Sequence, residues 1–464
     1  MAKAQEKQLA ELEALDLAHV FHANTNLAAY HKTGPLVLVR GQGIHVWDNH
    51  GNRYIDGMAG LWCAALGYGD EELAATAYDQ MKTLSFSHLF QGKSHEPCIR
   101  LADKLVNMAP FDASRVFFGN SGSDANDTQI KLVWYYNNAL GRPKKKKIVA
   151  HERGYHGVTV GSAGLTGLPS FHANFDEPLP FVVHTDAPYY YRGARPGESE
   201  EDYATRLAGN LEQLVVREGP DTVAAFIAEP LMGVGGVLLP PRTYFEKIGA
   251  VLEKHDVLLI DDEVITGFGR TGELWGAQAF GMRPSTVTAA KALSSAYLPI
   301  SAVIVPEFLY EPIVEASGRA GLFGHGFTYS GHPVSAAVAL RALQIYEERK
   351  LYEHVRKVAP QFQTRLRSLA EHPLVGEARG IGLVGACELV QDKRTKAEFE
   401  MRHAVGAKCM QLCQDRGLIV RAIGNTVVIC PPFIVTEGDI DDIFDRFGQG
   451  LDDTLAWAGK ERLV

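Results

Sequence analysis

A chain of 464 residues, 46% hydrophobic and 22% charged, has the size and balance of a folded protein with a large core and two or three domains. Its formal net charge of -9 argues against nucleic acid as a principal partner, because phosphate backbones select a basic face. No stretch approaches the roughly twenty apolar residues of a membrane span, and the N-terminus lacks the apolar core of a signal peptide, so a cytoplasmic protein without a membrane partner is expected.

The N-terminal stretch MAKAQEKQLAELEAL reads as a charged amphipathic helix, and a polar turn follows at His22 to Asn26. Short strands with a hairpin are expected at 36–40, 44–47 and 53–55. Next comes a glycine-bounded stretch, Gly57 to Cys63, whose Trp62 is either a core aromatic or a pocket wall. From about residue 70 to 330 helical and strand patterns alternate, as in α/β architecture: helices at 71–84, 96–108, 124–139, 200–219 and 243–255, strands at 115–118, 147–151, 223–228 and 257–260. The basic run Lys144 to Lys147 is a solvated loop entering a strand. From about 333 long helices dominate, broken near 380–385 and 427–430. This suggests a large domain at 60–331 and a smaller one built from 1–59 and 332–464. The six cysteines are scattered and are expected as buried thiols rather than disulfides or a zinc site.

The chemistry gathers at three places. The apolar run Val257 to Ile260 ends abruptly in Asp261, Asp262 and Glu263, as a buried parallel strand does where its carboxyl end meets a ligand crevice. Alternation puts Asp261 and Glu263 on one face and Asp262 with Val264 on the other, which is poor metal chemistry and suits a flat heteroaromatic ring with a nitrogen. Gly267 to Gly272 matches the dinucleotide pattern G-x-G-x-x-G, yet three acids stand where a pyrophosphate would approach. Earlier, a strand ends at Phe117-Phe-Gly and a Gly/Ser turn opens a helix near Asp124; Ser121 or Ser123 either caps that helix or helps it bind an anion. Finally, Lys291 lies alone in the small, uncharged segment Thr288 to Ser295. Anion cradle, lysine and ring-nitrogen carboxylate together describe a site for pyridoxal 5′-phosphate.

On the segments MAGLWC, NSGSDANDTQIKLVWYYNNALGRP, GYHGVT, FIAEPLMGVGGV, DDEVITGFGRTG, AKALSS and HGFTYSGHPVSAAVAL, the chain resembles the class III, or ω-, aminotransferases of fold type I, from about His22 to Glu437. It is most similar to their amine–pyruvate and plant-type 4-aminobutyrate–pyruvate branch. The resemblance implies an α/β fold: a large domain with a mostly parallel sheet flanked by helices, and a smaller α+β domain built from both termini. It implies that Lys291 forms an imine with the cofactor aldehyde and shuttles the proton, and that Asp262 pairs with the ring nitrogen. Val264 and Tyr155 would hold the ring faces, with His156 beside them. Ser121, Gly122 and Ser123 would hold the phosphate, and Glu229 would lie near the cofactor hydroxyl. Thr328 would complete the phosphate site of a partner subunit in a homodimer or dimer of dimers. Trp62, Tyr155 and Arg421 would meet substrate, with Arg421 gripping a carboxylate. The implied reaction is ping-pong transfer of an amino group from an ω-amino acid or primary amine to a keto acid, pyruvate above others; a racemase or aminomutase of the same fold is the alternative. Ala296 and Ser301 stand where the family has glycines, and Asp261 where it has alanine or serine, differences expected to bear on pocket size and substrate range.

Overall fold

The computed structural model describes residues 2–176 and 179–464. A first sheet joins β1 (Leu38–Gln42), β2 (His45–Asp48) and β3 (Arg53–Asp56). The central sheet contains β4 (Arg115–Gly119), β5 (Lys147–His151), β6 (Val182–Thr185), β7 (Val223–Ala228), β8 (Leu258–Asp262), β9 (Thr286–Ala289) and β10 (Ser301–Val305), in the order β4-β10-β9-β8-β7-β5-β6. Strands β6, β5, β7, β8 and β9 run parallel, and β10 pairs antiparallel with both β9 and β4. A third sheet is formed by β11 (Val375–Ile381), β12 (Val384–Leu389), β14 (Arg421–Ile423) and β15 (Thr426–Ile429), while β13 (Leu418–Ile419) returns to pair in parallel with β3. Both chain ends therefore meet in one sheet.

The central strands are apolar on both faces because helices cover both. Alternate residues of β7 show it: Phe226 and Ala228 join the core under the helices Glu200–Glu218 and Tyr244–Lys254, whereas Ala225 and Ile227 pack toward Ile130 and Val133 of the helix Gly122–Ala139. Burying such two-sided strands contributes on the order of 25 cal/mol per Å² of apolar surface. The parallel strand ends then point to one edge, where Glu229 follows β7, Asp262 closes β8 and Lys291 follows β9.

Observed elements depart from the expected ones in small, explicable ways. The helix expected from Asp124 begins at Gly122, because Ser121 takes the cap and Asp124 is the third residue of the first turn. The N-terminal helix spans Ala2–His19, but Leu12 and Leu15 remain exposed, so its described part does not gather an apolar face. The side chains of residues 1–10 lie outside the described residues. Five of the six cysteines are buried, Cys63 is half-buried, and all are free thiols.

Candidate active site

At the end of β8 alternation separates the three acids. Asp262 is 4% exposed and faces a cavity with Val264. Its Oδ2 accepts from Asn126 Nδ2 at 2.8 Å and from His156 Nδ1 at 2.8 Å, and its Oδ1 accepts from the Val264 amide at 3.2 Å. Three donors fix this carboxylate in place. Glu263 turns inward and accepts from the amides of Gly276 (2.9 Å) and Ala277 (2.7 Å). Asp261 is fully buried with neither oxygen partnered among the described residues; burial, then the neighbouring Glu263 and Asp262, pushes its carboxyl well above the ordinary range. One acid of the three thus faces the cavity.

The second end of the site lies where β4 meets the helix Gly122–Ala139. Ser121 Oγ accepts from the Asp124 amide at 3.2 Å, and the helical ladder begins only with the Ala125 amide on the Ser121 carbonyl at 3.1 Å. Among the described residues no acceptor meets the amides of Gly122 and Ser123, which lie at the positive end of the helix dipole. Glycine at 122 lets the turn lie close to Val264: a Cβ there would sit 3.0 Å from both Val264 methyl groups, which would have to give way. Ser123 Oγ accepts from the Val158 amide at 3.1 Å, which leaves its own proton free to donate. The Ser121 hydroxyl accepts from the Asp124 amide in the cap and likewise keeps its own proton; it lines a smaller opening that shares Gly122 and Lys291 with the main cavity.

Lys291 starts a short turn after β9 with φ of +48°. Its side chain is enclosed yet opens into the cavity, and no hydrogen-bond partner meets its amine among the described residues. Burial pulls its pKa below the ordinary lysine value, partly offset by Cys63, Asp262 and Glu229. Glu229 accepts from the amides of Tyr155 (2.9 Å) and Gly233 (2.9 Å). Burial above all, with Asp262 adding and His156 opposing, raises its carboxyl to about 7.

These groups line one cavity of about 1210 Å³ together with Trp62, Gly122, Ser123, Tyr155, His156, Val264 and Arg421. Trp62 is 1% exposed, has φ of +67°, and keeps an unpartnered indole N–H among the described residues. It is a pocket wall. Arg421 opens β14; its guanidinium has no ion-pair partner among the described residues, and burial lowers its pKa. Thr328 is exposed and does not line the cavity of its own chain. Nor do the residues expected to alter pocket size: Asp261 points into the core, Ser301 is buried behind the cradle, and Ala296 lines the smaller opening. Asn126 was not singled out from the sequence. It sits one helical turn after Gly122, on the same face, and its amide joins Asp262 to the His156 carbonyl at 2.7 Å.

Free amides suit a phosphate, the fixed carboxylate suits a protonated ring nitrogen, and the enclosed primary amine suits an aldehyde; among the described residues, His156 Nε2 and Asn126 Oδ1 remain as buried, unpartnered polar atoms beside them. The residues fit pyridoxal 5′-phosphate. Known proteins agree with that fit. Residues 27–451 match the model of the family Aminotransferase class-III. Gamma aminobutyrate transaminase 1, mitochondrial, of Solanum lycopersicum is 50% identical over 423 residues, covering 90% of this chain and 82% of the relative. The probable gamma-aminobutyrate transaminase 3, mitochondrial, of Oryza sativa subsp. indica is 50% identical over 418 residues, with 90% and 82% covered. The crystal structure of the omega transaminase from Pseudomonas jessenii in complex with PMP superposes with a TM-score of 0.95 at 50% identity, over 97% of this chain and 99% of that one. The chain belongs to the class-III aminotransferases, enzymes of fold type I that depend on pyridoxal phosphate.

Proposed function

We propose that this aminotransferase moves the amino group of an ω-amino acid or primary amine to pyruvate, giving alanine, in two half-reactions that share one site. The observation that carries the reading is Arg421, whose guanidinium has no ion-pair partner among the described residues and which lines the cavity beside apolar groups such as Phe21, Trp62, Phe171 and Val160. A lone cation in such a setting recognises a carboxylate strongly, because little water competes for it. Pyruvate carries that carboxylate, and so does 4-aminobutyrate, the compound in the names of the plant relatives.

When bound, pyridoxal phosphate supplies an aldehyde and an electron-accepting ring. The residues do the rest. Lys291, with its pKa pulled down by burial, has a larger neutral fraction and so serves as nucleophile and then as the base that takes and returns a proton at Nζ. Asp262, fixed by Asn126 and His156, would hold the proton on the ring nitrogen. Gly122 and Ser123 would hold the phosphate, Val264 and Tyr155 would bound the ring, and Glu229 would lie near its hydroxyl. Trp62 and Phe171, the latter 5.4 Å edge-on to Tyr155, exclude water from the reacting carbon. Self-association as a homodimer or dimer of dimers is part of the same proposal. It is supported by Thr328 facing away from its own cavity, and by the smaller opening past Asn120, Ser121 and Leu298, which leaves the phosphate end uncovered in a single chain.

A panel of amine donors with pyruvate, read as alanine formed, tests the reaction; turnover confined to 2-oxoglutarate would overturn the choice of acceptor. Arg421→Met should raise KM for pyruvate on the order of 100-fold, the loss of a charge-assisted pair, while a carboxylate-free arylalkylamine keeps its KM within a few fold. Equal losses for both substrates would remove Arg421 from the carboxylate site.

A further inference from the structure

Ser301 is fully buried at the start of β10, on a hydrogen-bonded strand that faces Gly119 of β4 on one side and approaches β9, which leads into Lys291, on the other. Its hydroxyl donates to Asp124 Oδ1 at 3.1 Å. The same carboxylate accepts from the Asn120 amide (3.2 and 3.0 Å to its two oxygens) and from the Ser121 amide (3.1 Å). Gly119 makes the room: a Cβ there would lie 2.4 Å from Asp124 Oδ1 and 2.5 Å from Ser301 Oγ. The turn 119–122 is therefore held from behind by one carboxylate, and that carboxylate is held by Ser301.

A carboxylate so close to an anion cradle works against a phosphate unless its charge is balanced and directed elsewhere. Two backbone amides and one hydroxyl do both, and only the hydroxyl comes from outside the turn. Ser301 is also the residue at which the lysine-bearing loop rejoins the sheet, so its bond ties the lysine end of the site to the phosphate end. We infer that Ser301 is a positioning residue for cofactor binding: through Asp124 it orients the free Gly122 and Ser123 amides toward the phosphate. This rests on the reading of that helix start as the phosphate site.

The test compares pyridoxal 5′-phosphate with phosphate-free pyridoxal, each titrated into cofactor-free enzyme. Ser301→Ala should weaken pyridoxal 5′-phosphate about tenfold, the share expected from losing one hydrogen bond to a charged group, and leave pyridoxal unchanged. In an Asp124→Asn background, Ser301→Ala should bring no further tenfold loss, since the two act as one unit. Ser301→Cys keeps the volume, lacks the strong donor, and should follow Ser301→Ala. Unchanged affinity for pyridoxal 5′-phosphate in Ser301→Ala, or equal weakening of both ligands, overturns the proposal as a merely structural effect. Wild-type enzyme that binds pyridoxal as tightly as its phosphate ester removes the phosphate site itself, and the inference falls with it.

Discussion

Asn126→Asp replaces the donor on Asp262 with a second carboxylate at nearly the same place, and the structure sets the size of the effect. The Asn126 amide lies 2.8 Å from Asp262 Oδ2. Two unit charges at that separation repel by about 6 kcal/mol at an effective dielectric of about 20. Protonating one of them at pH 7, from an ordinary pKa of about 4, costs about 4 kcal/mol, so the pair takes up a proton instead of bearing the repulsion. The stability cost should therefore grow by about 1.4 kcal/mol per pH unit above pH 5. Asn126→Ala loses the same bonds to Asp262 and to the His156 carbonyl, about 3 kcal/mol together, with no added charge and no added slope. Urea unfolding of the cofactor-free proteins from pH 5 to 8 separates the two. Parallel pH profiles for Asn126→Asp and Asn126→Ala would refute the electrostatic account of how Asp262 is held.

Two further outcomes follow from the geometry. Ala296 holds φ of +63° on an exposed turn, so Ala296→Gly should stabilise the protein by about 1 kcal/mol in denaturant unfolding, and a loss of stability would show that the turn is not strained. Glu229, raised to about 7 in the fold, binds its proton more tightly there than in the unfolded chain; its stabilising contribution is full below about pH 4.5 and is lost as pH rises through 7, on the order of 3 kcal/mol in all. Glu229→Gln should flatten that part of the pH–stability curve of the cofactor-free enzyme, and an unaltered slope would place the titration elsewhere.

The functional residues legible in the sequence were those fixed by local pattern. A strand has period two, so Asp262 and Val264 had to share a face, and they do; a glycine–serine turn before a helix had to leave free amides, and Gly122 and Ser123 leave them. What the pattern could not show depends on contacts between distant segments. Asn126 reaches Asp262 across 136 positions and looks, in sequence, like any polar helix residue. The strands Thr286–Ala289 and Ser301–Val305 escaped notice because they are short and lie between loops of small residues, although they set the position of Lys291. The helix start was misplaced by two residues because an acid near a helix N-terminus suits the first turn as well as the cap. Ser301 was read as added bulk; only the pairing of β10 with β4 brings its hydroxyl to Asp124.

The pairing of β13 with β3 also bears on the order in which the enzyme can assemble during synthesis. Leu418 and Ile419 lie beside Ile55 and Asp56, and Asp56 in turn holds the amides of Met58 and Gly60 ahead of Trp62. The edge that will support the Trp62 wall thus leaves the ribosome long before its partner strand, which is followed at once by Arg421. Most of the central sheet can close while this edge waits unpaired, a state that invites wrong partners and that chaperones guard. The Arg421 side of the cavity therefore cannot close until residues 418–421 are made, whereas every strand of the central sheet is complete by residue 305.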